Sequence, residues 1–132
     1  MSTDNTPIPG SITWTDLTVP DAERIRDFYA EVAGWTFEGL SMGKYEDYVM
    51  KDVEGRGAAG ICHARGANAG LPAQWLVYIN VDKLDERVAR CEALGGSILG
   101  GIRGGGSIGR YCVIRDPGGA VAVLYEIPTP KE

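Results

Sequence analysis

Residues 12–19 alternate between two faces, with Thr13, Thr15, Leu17 and Val19 on one and Ile12, Trp14, Asp16 and Thr18 on the other. A period of two is that of a strand with one side against a core. Val19-Pro20-Asp21 ends the run, and Asp21 is placed to cap a helix. Across 22–33 the bulky apolar residues are Ile25, Phe28, Tyr29 and Val32, a single stripe at i, i+3, i+4 and i+7 that Gly34 stops. Three short strands are predicted next, Trp35 to Leu40, Tyr45 to Lys51 and Ala58 to His63, separated by turn residues.

The same pattern then returns. Trp75 to Val81 is an apolar strand, Asp82 is placed to cap a helix with the stripe Leu84, Val88 and Cys91, and Gly95-Gly96 terminates it. Ser97 to Gly100, Gly109 to Arg115 and Ala120 to Ile127 are the remaining predicted strands. Equivalent points lie 62, 61 and 64 residues apart (Val19 to Val81, Gly34 to Gly95, Asp52 to Asp116). One helix serving four strands, twice over, predicts an α+β fold of two βαβββ modules rather than a doubly wound sheet. A unit of this kind cannot bury both faces of its sheet alone, so it is expected to stack on or pair with its twin. The 132 residues read as one domain, with module one at about 10–66 and module two at about 72–128.

Composition narrows the classes of function. A net charge of −5 opposes nucleic-acid binding, which rests on cationic surface. No apolar run approaches the length of a membrane span, and Met1-Ser-Thr-Asp-Asn-Thr lacks the features of a secretory signal. Cys62, Cys91 and Cys112 are odd in number and far apart, so neither a disulfide framework nor a cysteine zinc cluster is expected. The expectation is a cytoplasmic protein with reduced thiols that meets neither membrane nor nucleic acid.

Several residues carry candidate chemistry. Gly100 to Gly109 is glycine-rich but has no Gly-Lys-Ser/Thr ending and runs into a strand, so it reads as a mobile hairpin at a cavity mouth rather than a phosphate loop. His63, the sole histidine, reads as a surface or loop residue, with a base lining a cleft as the functional alternative. Asp16 is an acid within a Thr-rich and apolar strand and shares its face with Trp14. It reads either as a structural carboxylate or as a polar group in a concave pocket, a general base or substrate anchor. Asp116-Pro-Gly-Gly119 is a turn. Arg110 reads as ion-paired or solvated, with an anionic substrate as its functional partner.

The order of these fragments resembles the vicinal oxygen chelate superfamily, which includes glyoxalases, bleomycin-resistance proteins and extradiol dioxygenases. The resemblance rests on Trp14-Thr-Asp-Leu-Thr-Val-Pro-Asp21, Phe28-Tyr29, Val32-Ala-Gly-Trp35, Trp75-Leu-Val-Tyr78, Val81-Asp-Lys-Leu-Asp85, Ala93-Leu-Gly-Gly96 and Arg115-Asp-Pro-Gly-Gly-Ala120. It implies paired modules whose mixed sheets curl into a cup, often holding a divalent metal. The family's ligand positions fall on Trp14, Ala59, Leu76 and Val123, none of which has a lone pair for a cation. A slip of two brings in Asp16, Ile61, Tyr78 and Tyr125, still with one good ligand. No metal and no cofactor is therefore expected.

The cup is then expected to be lined by Trp14, Tyr48, Leu76, Tyr78, Val123 and Tyr125, with Arg110 as a further contact and Asp16 as its charge. Such a lining suits a flat, mostly apolar small molecule. The competing expectation is an enzyme of the same fold (lyase, isomerase or dioxygenase type), using Asp16 as base or a metal site involving His63. The expected assembly is a homodimer, the modules pairing within one chain or across the dimer.

Overall fold

A computed structural model describes residues 7–105 and 109–127. The elements run β1 (Ile12–Val19), α1 (Ala22–Ala33), β2 (Thr36–Ser41), β3 (Glu46–Lys51), β4 (Gly57–His63), β5 (Trp75–Val81), α2 (Leu84–Ala93), β6 (Ser97–Gly104), β7 (Arg110–Arg115) and β8 (Val121–Glu126), with a 3₁₀ turn at Gly66–Asn68. This is the α+β fold of two βαβββ modules. The chain divides into two compact units, Trp14–Leu76 and the residues up to Thr13 together with those from Val77 onward.

In the first unit the strand order is β2-β3-β4-β1. β1 runs parallel to β4, with Asp16 opposite Gly60 and Thr18 opposite Cys62. β3 is antiparallel to β4, with Tyr48 opposite Ile61 and Val49 opposite Gly60. One face packs on α1 as a core of Leu17, Val19, Ala22, Tyr48, Met50 and Ile61, joined by Ile25, Tyr29, Trp35 and Trp75. The helical stripe is only half used: Phe28 and Val32 remain 53% and 66% exposed. Asp21 holds the N-cap position, but its side chain makes no capping hydrogen bond. Gly34 ends the helix in the left-handed conformation, as its position predicts.

In the second unit the order is β5-β8-β7-β6. Leu84, Cys112 and Leu124 form its core, with Ile79, Val81, Val88, Ile98 and Ile114 packed around them. The helix start differs from expectation. Lys83, not Asp82, is the N-cap residue, and Asp82 instead pairs with Arg87 at 2.7 Å. The N–H of Leu84 donates to Glu126 Oε2 at 2.8 Å, so a carboxylate 42 residues away does the capping. Strand β6 is longer than predicted and passes through Gly100 and Gly101 by an irregularity between Leu99 and Ile102. Of the expected mobile hairpin, residues 106–108 lie outside the described residues.

The two modules differ at their last strand. In module two Ile114 pairs with Ala122 and Val113 with Val123. In module one the register slips between Met50 and Lys51, so Met50 pairs with Ala59 and Val49 with Gly60. One extra residue sits in this β-bulge. The counterpart of Val123 is therefore Gly60, and not Ala59 as the count from Asp52 implies. Asp16 and Tyr78 correspond likewise, since each lies opposite one of that pair.

Candidate functional site

The face of module one turned away from α1 carries Trp14, Asp16 and Thr18 from β1, Asp47 and Val49 from β3, and Gly60 and Cys62 from β4. Strand alternation puts them there, because the intervening residues fill the core beneath. The Trp14 indole N–H donates to Asp16 Oδ1 at 2.7 Å. Two glycines make room for the pair. A methyl group on Gly57 would meet the Trp14 ring at 3.5 Å, and one on Gly60 would overlap Asp16 Oδ1 outright. The result is a half-buried aromatic ring beside a carboxylate whose position is fixed from two sides.

Deeper in this face lies Cys62, its thiol pushed well up by burial and then by the charges of Asp16 and Asp47. Asp47 is 7% exposed, and its Oδ1 accepts the His63 backbone N–H at 2.9 Å. His63 Nδ1 stands 3.5 Å from the same oxygen and, among the described residues, has no hydrogen-bond partner. The His63 ring contacts Tyr45 and Tyr48 at 5.4 and 6.1 Å between centroids. His63 is thus an inward-facing residue at the strand end, not the surface or loop residue its sequence context suggests. Asp47 carries the same sequence signal as Asp16, an acid inside a strand, and lies on the same face.

The other expected lining residues divide. Leu76 is buried, and its carbonyl accepts the Thr15 hydroxyl at 3.1 Å. Tyr78, Val123 and Tyr125 share the face of module two that is turned away from α2. Tyr48 belongs to the core under α1, where the Arg26 guanidinium lies 4.6 Å from its ring centre. It does not share a face with Asp16, because the β3–β4 register puts it opposite Ile61. Arg110 sits on the helix side of module two, bonded to Glu126 Oε1 at 2.9 Å and Oε2 at 3.0 Å and to Asp85 at 2.9 Å. Two carboxylates satisfy it, so it is a structural cation holding β7, β8 and the start of α2 together.

The family's metal can be tested against the donors present. With the bulge taken into account, the four implied positions hold Trp14, Gly60, Leu76 and Val123, none of which has a side chain with a ligating atom. No group of three or more His, Cys, Asp or Glu that could hold an ion occurs among the described residues. These residues do not fit the metal.

Comparison with known proteins agrees with the fold. The Glyoxalase/Bleomycin resistance protein/Dioxygenase superfamily model matches residues 11–124. The chain is 29% identical over 124 residues to a Mycobacterium tuberculosis protein with the provisional name glyoxylase CFP32, covering 93% of this chain and 46% of that one. It is 28% identical over 129 residues to the anthracycline biosynthesis protein DnrV of Streptomyces peucetius, covering 89% and 47%. The chain thus spans about half the length of the curated relatives it matches. Among solved structures, methylmalonyl-CoA epimerase from Mycobacterium tuberculosis aligns with a TM-score of 0.56 at 18% identity, over 98% of this chain and 93% of that one. A hypothetical protein, BH1468 of Bacillus halodurans, aligns at 0.58 and 12% identity, over 92% and 97%. At such identities the likeness is one of fold.

Proposed function

Since the chain belongs to the Glyoxalase/Bleomycin resistance protein/Dioxygenase superfamily, we propose that it acts as a metal-independent binder of a small, largely apolar aromatic molecule. The observation that carries this reading is the Trp14–Asp16 pair set over Gly57 and Gly60. An indole face offers a large apolar contact to a flat ring system. The carboxylate beside it accepts a hydrogen bond from a hydroxyl or amine on that ligand. The absence of donors at the metal positions supports the same reading, and the relative named for anthracycline biosynthesis is consistent with a polycyclic aromatic ligand.

The enzymatic reading gives Asp16 the role of base. One of its oxygens is already engaged by the Trp14 indole at 2.7 Å. That suits an anchor held in place better than a base that must reach a substrate proton. A homodimer remains part of the proposal, with sedimentation equilibrium as its check.

The test is a titration with 1,4-dihydroxyanthraquinone, followed by calorimetry before and after treatment with a chelator. Wild type should bind, chelation should change nothing, and Trp14→Ala should weaken binding at least tenfold while retaining the native circular dichroism. Binding that is lost on chelation, or is indifferent to Trp14→Ala, overturns the reading. Asp16→Asn separates anchor from base: it weakens ligands bearing a donor and leaves their unsubstituted analogues unaffected.

A further inference from the structure

The apolar stripe of α1 joins the core of module one through Ile25 and Tyr29, yet Phe28, beside them, is half exposed. Phe28 borders a cavity of about 270 Å³, lined also by Leu17 and Val19 of β1, Tyr29 of α1, and Ala73 and Trp75 where the chain enters β5. All of these residues belong to one compact unit, Trp14–Leu76. Leu17 and Val19 lie on the helix side of β1, whereas Asp16 and Thr18 of the same strand lie on the other face. The cavity is therefore separate from the Trp14–Asp16 pair.

Its walls are held in place. The Trp75 ring meets the Tyr29 ring edge-on, with centroids 5.3 Å apart and planes at 75°. The Trp75 indole N–H donates to the Tyr29 hydroxyl at 3.3 Å. Trp35 packs against Trp75 at 6.0 Å and 83°, and Phe28 stands edge-on to Tyr29 at 5.0 Å. Phe28, Ala73 and Gln74 are exposed members of the lining, so the cavity opens to solvent beside them. Ala73 has no side chain beyond its methyl group to close that opening.

Charge, size and extent decide the occupant. Among the described residues, none that lines the cavity carries a charge, so an ion would lose hydration there without a counter-charge. An apolar cavity of about 150 Å³ holds benzene, so this one has room for two fused rings. Phe28 and Val32, the exposed apolar side chains of this helix, fall far short of the roughly 800 Å² per partner that a stable protein interface buries. We propose that the cavity is a second binding site, for a neutral, largely apolar molecule of two fused rings. Its recognition rests on edge and face contacts with Phe28, Tyr29 and Trp75 over the aliphatic side chains of β1.

This site goes beyond the reading of Trp14 and Asp16, and its test can fail independently. The probe is 1-tetralone, with 1-naphthoate as an anion and 1-naphthylmethylammonium as a cation of similar size. Titrated into ¹⁵N-labelled protein, tetralone should shift the Trp75 indole N–H signal saturably. The Trp14 signal reports the other face, so the two sites are read separately. At Trp75, tetralone should bind roughly tenfold or more tightly than either ion. Phe28→Asp should weaken it by a similar factor while retaining the native circular dichroism, and Phe28→Leu should keep most of the affinity. No saturable shift at Trp75, or equal binding of either ion there, overturns the proposal on wild type alone. Affinity unchanged by Phe28→Asp also overturns it. Sedimentation equilibrium reads the other occupant: a wild-type dimer that takes up no tetralone and that Phe28→Asp dissociates assigns the cavity to a second copy, against the proposal.

Discussion

Asp16 and Gly60 face each other across a parallel rung, and a carboxylate oxygen of the first fills the space that a side chain on the second would need. The β-bulge at Met50 and Lys51 brings residue 60, rather than residue 59, into that position. Backbone register and side-chain chemistry therefore meet at one point. Either partner can be altered to test the other.

Gly60→Ala should destabilise the protein by about 1–3 kcal/mol, since the added methyl overlaps a side chain fixed by the Trp14 indole. In an Asp16→Ala background the same substitution should cost much less. Urea unfolding of the four proteins of this double-mutant cycle measures the difference. Equal costs in both backgrounds would show that the crowding lies elsewhere.

The Arg110–Glu126 pair predicts an acid-limb effect. The Arg110 guanidinium and then the Leu84 N–H hold the Glu126 carboxyl below its ordinary value of 4.5. A carboxyl lowered in the folded state contributes stability that is fully present above its unfolded value and is lost as pH falls through the folded value. Glu126→Gln cannot titrate, so its melting temperature should fall less between pH 6 and pH 3 than that of wild type. Parallel acid limbs for the two proteins would contradict the assignment.

Cys62 should be unreactive in the native protein. Burial and the charges of Asp16 and Asp47 push its thiol up, leaving little thiolate at pH 8. Iodoacetamide, followed by peptide mass spectrometry, should label Cys62 only when urea unfolds the chain. Native-state labelling at the rate of a free thiol would show that this face is neither closed nor acidic.

The sequence carried much of this. Period-two alternation placed Trp14 and Asp16 on the face opposite Leu17 and Val19, and the structure keeps them there. The recurrence of strand, helix and glycine stop gave two modules of the right order. Where it went astray, the missing information was non-local. The sequence reading expects Tyr48 among the lining residues, but the β3–β4 register turns it to the core. Asp82 was the nearest cap for α2, but Glu126 arrives from the last strand and supplies the carboxylate instead.

Taken alone, then, the chain determined its elements, their doubling, and an acid beside an aromatic ring, because strand and helix periods are local properties of residue order. The tertiary structure decided which residue opposes which. A single extra residue in β4 moved the last-strand position from Ala59 to Gly60. Register is fixed by packing across strands, and no count along the chain contains it.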